Sequence, residues 1–430
     1  MHRLAGGVKP VALALGLAAL AGSAFAAEFV AGPEDYRGVL SRLSAGDRLL
    51  LRAGDYRHGL PLHGVAGEPE RPVRIEGPAI GAPARLIARA GANTVSLVDV
   101  RHIHLANLEL DGGNQPVDAV KAEGHGRYAH HVTLENLYIH DHAASQQNVG
   151  ISTKCPAFGW IIRNNRIERV GTGIYLGDSD GSDPFVAGLI EGNRISATLG
   201  YNLQIKLQTA RSPDLPAPDR RHDTIIRYNL FDKSGAAMPG PMARPNVLVG
   251  HMPQTGQGLH DRILVYANLF FRNPGESLFQ GEGNLALYNN LFVSDGPDAL
   301  RIQPHNGVPR DSLVLFNTVV ARGNGITVRV PETNLFEQVV AGNRVFAARP
   351  LEGGRQIGNR SGSFDAARQS LVRPHAELDA VDLSPRPGSS AIGAAAGAVA
   401  AKWRGDLPGF TLDPAGAPEK LGIQLKPRQP

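Results

Sequence analysis

The sequence predicts an all-β fold: a single-stranded right-handed parallel β-helix, a solenoid, with a short N-terminal capping helix. The 430 residues are 42% hydrophobic and include 51 glycines and 31 prolines, a composition typical of globular chains with many turns and short strands. A short β-rich run followed by Asn recurs along the chain, and most copies carry a second short strand after the Asn. Short strands in a fixed order, with no helix between them, bury their apolar faces by stacking on the next repeat.

The recurring Asn predicts a ladder along one edge of the solenoid. Nine copies lie at a mean spacing of 29.5 residues, at Asn107, Asn136, Asn165, Asn193, Asn229, Asn268, Asn290, Asn317 and Asn343. An Asn at a fixed bend can bond to the backbone and to the next Asn in the stack. We therefore assign these residues a structural role.

The first 26 residues are predicted to be a cleavable signal peptide. His2 and Arg3 give a positive start, Val11–Leu20 is an apolar run too short to span a bilayer, and Ala24 and Ala26 form a small-x-small cleavage site. No later run is long and apolar enough for a membrane span. The expected location is the periplasm or the medium.

The remaining chain is expected to form one β-helix domain over residues 27–348 and a C-terminal cap or irregular wrap over residues 349–430. Pro33–Leu43 has apolar residues near helical spacing and an acidic first turn, so it predicts the capping helix. After about Ala348 the repeat fades.

Charge and cysteine content limit the partners. Without the signal peptide the chain has 42 basic and 40 acidic residues, so it gives no electrostatic signal for nucleic acid, and an anionic ligand requires a local patch. Cys155 is the single cysteine, which excludes an intrachain disulfide and favours a core position. We expect a monomer that binds an acidic polysaccharide or oligosaccharide.

The second strands of the repeats carry long polar side chains on the face that alternation directs outward. In GYNLQIKLQ, Gly200 to Gln208, the apolar residues alternate with two glutamines and a lysine. Because neighbouring coils lie about 5 Å apart, members on adjacent coils can converge on one sugar ring. The candidate site residues on these strands and their loops are Lys154, Tyr175, Gln204, Lys206, Arg244, His251, Gln280, Glu282, Gln303, His305 and Arg310.

Two segments resemble right-handed β-helix polysaccharide lyases of the chondroitinase B and alginate lyase group. AGDRLLLRAGDYR with EPERPVRIEG is similar to the opening of that family, and GYNLQIKLQ with IIRYNLFDKSG is similar to its catalytic-lysine region. The resemblance implies β-elimination on a uronate polymer, with Lys206 as the base. The family's arginine does not carry over, because Gly250 stands there and His251 follows. Its acidic calcium ligands fall near the uncharged Asn202 and Gln204, so no cofactor is predicted and calcium is left as an open alternative.

The function predicted from these residues is an exported polysaccharide lyase that cleaves an acidic, uronate-containing polymer. Lys206, His251 and Glu282 are the catalytic candidates, with His251 as the acid or alternative base. The substrate-binding candidates are Lys154, Tyr175, Gln204, Arg244, Gln280, Gln303, His305 and Arg310. A glycoside hydrolase, a uronate C5-epimerase and a non-catalytic polysaccharide-binding surface protein remain alternatives. A hydrolase requires paired carboxylates, for which Asp178, Asp180, Asp183 and Glu282 are available.

Two histidine clusters are candidates for metal sites. His130-His131 and His140-Asp141-His142 place imidazoles close together in sequence, but spacing fixes no third ligand. His102 and His104 fit an outer strand face. No metal site is predicted.

Overall fold

The computed structural model describes residues 26–124, 129–209, 211, 215–217, 219–389, 397–398, 401, 405–412, 416, 418 and 423. All but the last residue of the predicted signal peptide lie outside this range, so that segment stays a prediction. Among the described residues, no helix has the length and apolar character needed to cross a bilayer.

The chain winds into stacked coils whose strands form three parallel sheets, here called the first, second and third sheet. Every pairing between successive coils is parallel, which confirms the predicted parallel β-helix. The first sheet contains Glu28–Ala31, Arg48–Leu51, Val73–Glu76, Arg101–Ala106, Ala129–Glu135, Ile161–Arg163, Leu189–Glu191, Asp223–Arg227, Arg262–Tyr266, Leu285–Tyr288, Ser312–Leu315, Gln338–Ala341 and Arg355–Ile357, with Ala157–Phe158 and Phe185–Val186 at its side.

The second and third sheets follow in each coil. The second sheet contains Gly54–Tyr56, Ala84–Ile87, Leu108–Asp111, Tyr138–His142, Arg166–Val170, Arg194–Ser196, Leu230–Asp232, Leu269–Phe271, Leu291–Ser294 and Arg360–Gly362. The third sheet contains Leu60–His63, Val95–Val98, Val120–Glu123, Val149–Lys154, Thr172–Leu176, Leu203–Ile205, Val247–Val249, Phe279–Gly281 and Asp298–Ile302. The long strands Thr318–Val328 and Arg344–Glu352 run from the second sheet into the third.

Alternation within each strand builds the core. In the second sheet one inward column stacks Ile139, Ile167, Ile195, Phe231, Phe270 and Phe292, all fully buried. The rings of Phe270 and Phe292 lie parallel with centroids 4.5 Å apart. Each such side chain contributes about 1.5–3 kcal/mol by leaving water, so the stacked apolar columns hold the coils together without a disulfide.

The asparagine ladder exists, but it starts later than predicted. From Asn165 onward each Nδ2 donates to the Oδ1 of the next Asn at 2.9–3.0 Å, through Asn193, Asn229, Asn268, Asn290, Asn317, Asn343 and Asn359. Asn107 and Asn136 do not belong to it. They lie one position earlier in the coil, because the register aligns Asn136 with Asn164 and not with Asn165. Their φ values are positive, at 55° and 52°.

A short helix covers the N-terminal end of the solenoid. The N-terminal helix is Arg37–Leu40, shorter than the predicted Pro33–Leu43, and the buried Tyr36 donates its hydroxyl to the carbonyl of Gly59 at 2.6 Å. At the other end strand pairing continues beyond residue 348, the predicted boundary, through Arg360–Gly362, because Asn359 extends the ladder.

The C-terminal segments then cover parts of two sheets. The short helix Ala367–Ser370 and the antiparallel pair Leu371–Arg373 and Asp382–Pro385 pack on the outer side chains of the second sheet. Leu407 and Phe410 pack on the outer face of the first sheet. A short 3₁₀ helix, Gly240–Met242, belongs to a loop beside the third sheet.

Candidate functional site

A groove of about 680 Å³ lies on the third sheet. Its floor is formed by the strands Val120–Glu123, Val149–Lys154, Thr172–Leu176 and Leu203–Ile205, and loops of several coils form its walls. The floor is polar because outward side chains of adjacent parallel strands stack in register, about 5 Å apart.

Two columns of side chains face the groove. The first runs Lys121, Ser152, Tyr175, Gln204, each directly opposite the next on consecutive strands. The second begins two residues later in each strand and contains Lys154 and, two coils on, Lys206. This brings together four residues predicted from the sequence.

Gly177 occupies the position between the two lysines of the second column. Its φ is +97°, and a Cβ there would lie 3.1 Å from the Cβ of Lys206. A side chain at this point would therefore displace Lys206. Asp178, one of the carboxylates considered for a hydrolase, follows the glycine, and its carboxylate lies 3.8 Å from the Lys154 Nζ.

Tyr175 lies at the centre of the charged side chains. The Lys154 Nζ is 3.8 Å from the centroid of its ring and the Lys206 Nζ is 5.8 Å away. Its hydroxyl lies 3.2 Å from the Ser179 Oγ. A phenol with two amino groups against its ring offers a flat apolar surface beside cations, an arrangement suited to a charged sugar.

Most lysines of the described part of the chain lie at this groove. The sequence contains eight lysines, of which four lie among the described residues. Lys121, Lys154 and Lys206 line the groove, and the fourth, Lys233, is fully buried nearby. The other basic residues of the described part are arginines, which form most of the ion pairs on the solvated faces.

Arg244 brings a fourth cation to the groove from a loop. Its Nη1 donates to the carbonyls of Pro241 and Ala243 at 2.9 and 2.7 Å, which fixes the guanidinium. Behind it, the carbonyl of Arg244 accepts bonds from the Lys233 Nζ and the Asn273 Nδ2, both at 2.9 Å. Burial, and then the charge of Arg244, lowers the pKa of Lys233 to about 7.

The walls add residues that the sequence reasoning missed. Asn93, Asp118, Gln146, Asn148 and Tyr201 line the groove. Burial raises the pKa of the Asp118 carboxyl, although its Oδ1 accepts a bond from the Val149 N–H at 2.8 Å. Burial also raises the pKa of Tyr201. The sequence does contain a pattern that could have identified these wall residues. Polar residues stand within two positions before several strands of the third sheet.

His251 and Glu282 lie outside the groove. His251 is buried, with its two ring nitrogens 2.8 Å from the carbonyls of Met252 and Val308. It is offset from Lys206, because the residue opposite Lys206 is Gly250. Glu282 is also buried, and its carboxylate accepts backbone N–H bonds from His305 at 2.6 Å, from Asn306 and from Gly307 at 3.1 Å. Both side chains hold the loop that carries His305.

Of the remaining candidates, one lines the groove and three lie elsewhere. His305 is exposed and lines the groove. Gln280 is buried on the third sheet between Leu248 and Arg301, and Gln303 follows the strand after it. The guanidinium of Arg310 lies 4.7 Å above the ring of Phe336. Gln280, Gln303 and Arg310 are therefore not among the residues that line the groove.

Comparison with known proteins finds similar solved structures at low identity. An alginate lyase from Paenibacillus sp. str. FPU-7 is 14% identical over 76% of this chain and 98% of its own, with a TM-score of 0.47. Pectate lyase Pel9A is 10% identical over 85% and 89%, with a TM-score of 0.48. The PL6 family polysaccharide lyase Pedsa3628 from Pseudopedobacter saltans is 11% identical over 79% and 93%, also at 0.48.

No family model and no curated protein matches the chain. The fold of this chain rests on its own strand pairing.

Proposed function

We propose that this protein is an exported polysaccharide lyase that cleaves an acidic, uronate-containing polymer by β-elimination in the groove of the third sheet. The observation that carries the proposal is the clustering of Lys121, Lys154, Lys206 and Arg244 around Tyr175 and Gln204. Loops on a rigid scaffold surround this cluster, as is common for functional sites.

The charge of the groove supports an anionic ligand. Asp118 is the one carboxylate among the described residues that line it, against four cations. Lys121 and Lys154 have carboxylates nearby, at 3.0 Å from Glu123 and 3.8 Å from Asp178. Within the described part of the chain, neither Lys206 nor Arg244 has a carboxylate within 4.0 Å. A bound uronate would supply the missing negative charge.

β-Elimination assigns three tasks to such a site. A base removes the proton from C5, the electron pair forms the C4–C5 double bond, and the C4–O bond breaks with a proton passing to the leaving oxygen. The C6 carboxylate must be neutralised so that the charge developing at C5 is stabilised. Lys206 is our candidate base, and Arg244, Lys154 and the amide of Gln204 are the candidates for neutralisation.

Tyr175 is the candidate proton donor. Its hydroxyl is hydrogen-bonded only to Ser179 among the described residues, and its ring lies between the two lysines. His251, the acid candidate of the sequence analysis, and Glu282, its third catalytic candidate, are engaged by backbone groups of the His305 loop, so the proposal does not use them.

Hydrolysis is disfavoured by the same geometry. A glycosidase requires two carboxyl groups that flank the scissile bond, about 5–9 Å apart. Asp118 has no second carboxylate beside it among the described lining residues. Asp178 and Asp180 accept backbone N–H bonds within their own turn, from Ser179 and Ser182.

The test is a screen against alginate, pectate, glycosaminoglycans and bacterial exopolysaccharides. Ultraviolet absorbance reports the unsaturated product, and a reducing-end assay reports every cleavage. We expect both signals to rise together on one acidic polymer, and Lys206→Ala to lower kcat/KM at least 10³-fold. Arg329→Ala removes an exposed cation from the same sheet outside the groove and serves as the control.

The other outcomes separate the alternatives. Reducing ends without ultraviolet absorbance indicate a hydrolase. Incorporation of solvent deuterium at C5 without cleavage indicates an epimerase. Binding without either change indicates a polysaccharide-binding protein. Full activity in Lys206→Ala removes Lys206 from the mechanism.

A further inference from the structure

Three histidines converge on the first sheet, on a different sheet from the groove. His102 belongs to the strand Arg101–Ala106, and His130 and His131 belong to the strand of the next coil, Ala129–Glu135. One ring nitrogen from each of the three lies within 4.8 Å of the others. Sequence spacing gave the pair His130-His131 no third ligand, and stacking of the coils supplies it.

The backbone directs these rings toward one another. The register pairs His130 with Arg101 and Val132 with Ile103, and skips the residue between them on each strand. The skipped residues are His131 and His102, whose φ values are +53° and +49°. Positive φ is uncommon for a residue with a side chain, and here it occurs at aligned positions in two successive coils.

The rings are packed closely and held in place. His102 and His131 stack with centroids 4.5 Å apart and an interplanar angle of 13°. The Nδ1 atoms of His130 and His131 are 2.8 Å apart. Phe158 lies against His131 at 5.6 Å, and a Cβ on Gly159 would be 3.1 Å from the same ring.

Burial lowers the pKa of all three rings, and the pKa of His130 falls to about 4 with help from its histidine neighbours and Arg101. An imidazole binds a metal ion through a ring nitrogen that carries no proton.

We propose that His102, His130 and His131 form a binding site for a divalent transition-metal ion of the zinc class. In a tetrahedral site with Zn–N distances of about 2.0–2.1 Å, two ligand nitrogens are about 3.3 Å apart. The three ring nitrogens, all within 4.8 Å of one another, are close to this spacing. Three imidazoles favour Zn²⁺, Ni²⁺ or Cu²⁺ over Ca²⁺ or Mg²⁺. The ion would link two consecutive coils, and the rings are partly exposed, so an ion can enter from solvent.

A second cluster provides an internal comparison. Glu109, Asp111 and His140 also place ligand atoms within 4.8 Å of one another. There His140 is already bonded to Glu109 at 3.2 Å and to Asp141 at 2.7 Å, and Asp141 pairs with Arg169. His140 is thus held between two carboxylates, and this cluster serves as a control.

The test is titration of Zn²⁺ into the full chain, purified without a histidine tag and freed of metal with a chelator, by calorimetry. We expect one ion per chain and a rise in the unfolding temperature on binding. The variants His102→Asn and His131→Asn remove one imidazole each, and Asn tolerates positive φ, so the backbone conformation is preserved. Each is expected to weaken Zn²⁺ binding at least tenfold and to reduce the thermal shift.

His260→Ala, at an exposed histidine outside both clusters, should bind like the unmodified chain. Circular dichroism of the metal-free variants shows whether they fold. Binding unchanged in both Asn variants, binding lost in His140→Ala alone, or no binding at micromolar Zn²⁺ would each overturn the proposal.

Discussion

Lys233 provides the sharpest test of the electrostatics around the groove. It follows the strand Leu230–Asp232, is 0% exposed, and its Nζ donates to the carbonyl of Arg244 at 2.9 Å. Burial, and then the charge of Arg244, lowers its pKa from 10.5 to about 7. We predict that Lys233→Met, which replaces the amine by an apolar side chain of similar length, changes how stability depends on pH.

The magnitude follows from the difference between the folded and unfolded pKa. A difference of about 3.5 units corresponds to roughly 5 kcal/mol, at about 1.36 kcal/mol per unit. Between pH 7 and 10.5 the unfolded chain holds a proton that the folded chain lacks, so the free energy of unfolding rises with pH across this window. The amount by which Lys233 lowers the free energy of unfolding is largest below pH 7 and disappears above pH 10.5.

The assay is denaturant unfolding of the wild-type chain and Lys233→Met between pH 7.5 and 9.5. From pH 7.5 to 9.5 the free energy of unfolding of the wild type should rise by about 2.5 kcal/mol relative to that of the variant. Lys121→Met, the same change at a partly exposed lysine, controls for losing a lysine from the unfolded chain. In Lys233→Met the Arg244 carbonyl keeps its bond from Asn273. A stability difference that stays constant with pH would refute the reasoning.

Three further predictions concern geometry. Gly177→Ala should lower kcat/KM on the identified polymer about tenfold, because its Cβ displaces Lys206, and normal kinetics would contradict this. Asn229→Ala should lower the unfolding free energy by about 3 kcal/mol and Asn136→Ala by about 1 kcal/mol, since only Asn229 is in the buried ladder, and denaturant unfolding that gave equal losses would contradict that assignment. Glu282→Ala should speed amide exchange at 305–307 about 30-fold, corresponding to about 2 kcal/mol, and unchanged protection would exclude its role in holding that loop.

The sequence by itself determined the solenoid. Apolar alternation and the recurring Asn specify strands that can be buried only against their own repeats, and this holds in every coil regardless of loop length. The ladder from Asn165 onward was predictable because each Asn bonds to its equivalent in the next coil. The outward direction of Gln204 and Lys206 followed from the two-residue period of a strand.

Tertiary structure decided which polar residues meet. Register between coils is set by bends and bulges, and an offset of one residue places Gly250 opposite Lys206 and leaves His251 in a loop. Loops of different lengths bring Asp118 and Arg244 to the groove from coils far apart in sequence. The three histidine rings of the first sheet likewise come together because positive-φ residues align on successive coils, which linear spacing does not encode. Local pattern fixes the direction of each side chain along its strand, whereas contacts across the sheet depend on the alignment of one coil with the next.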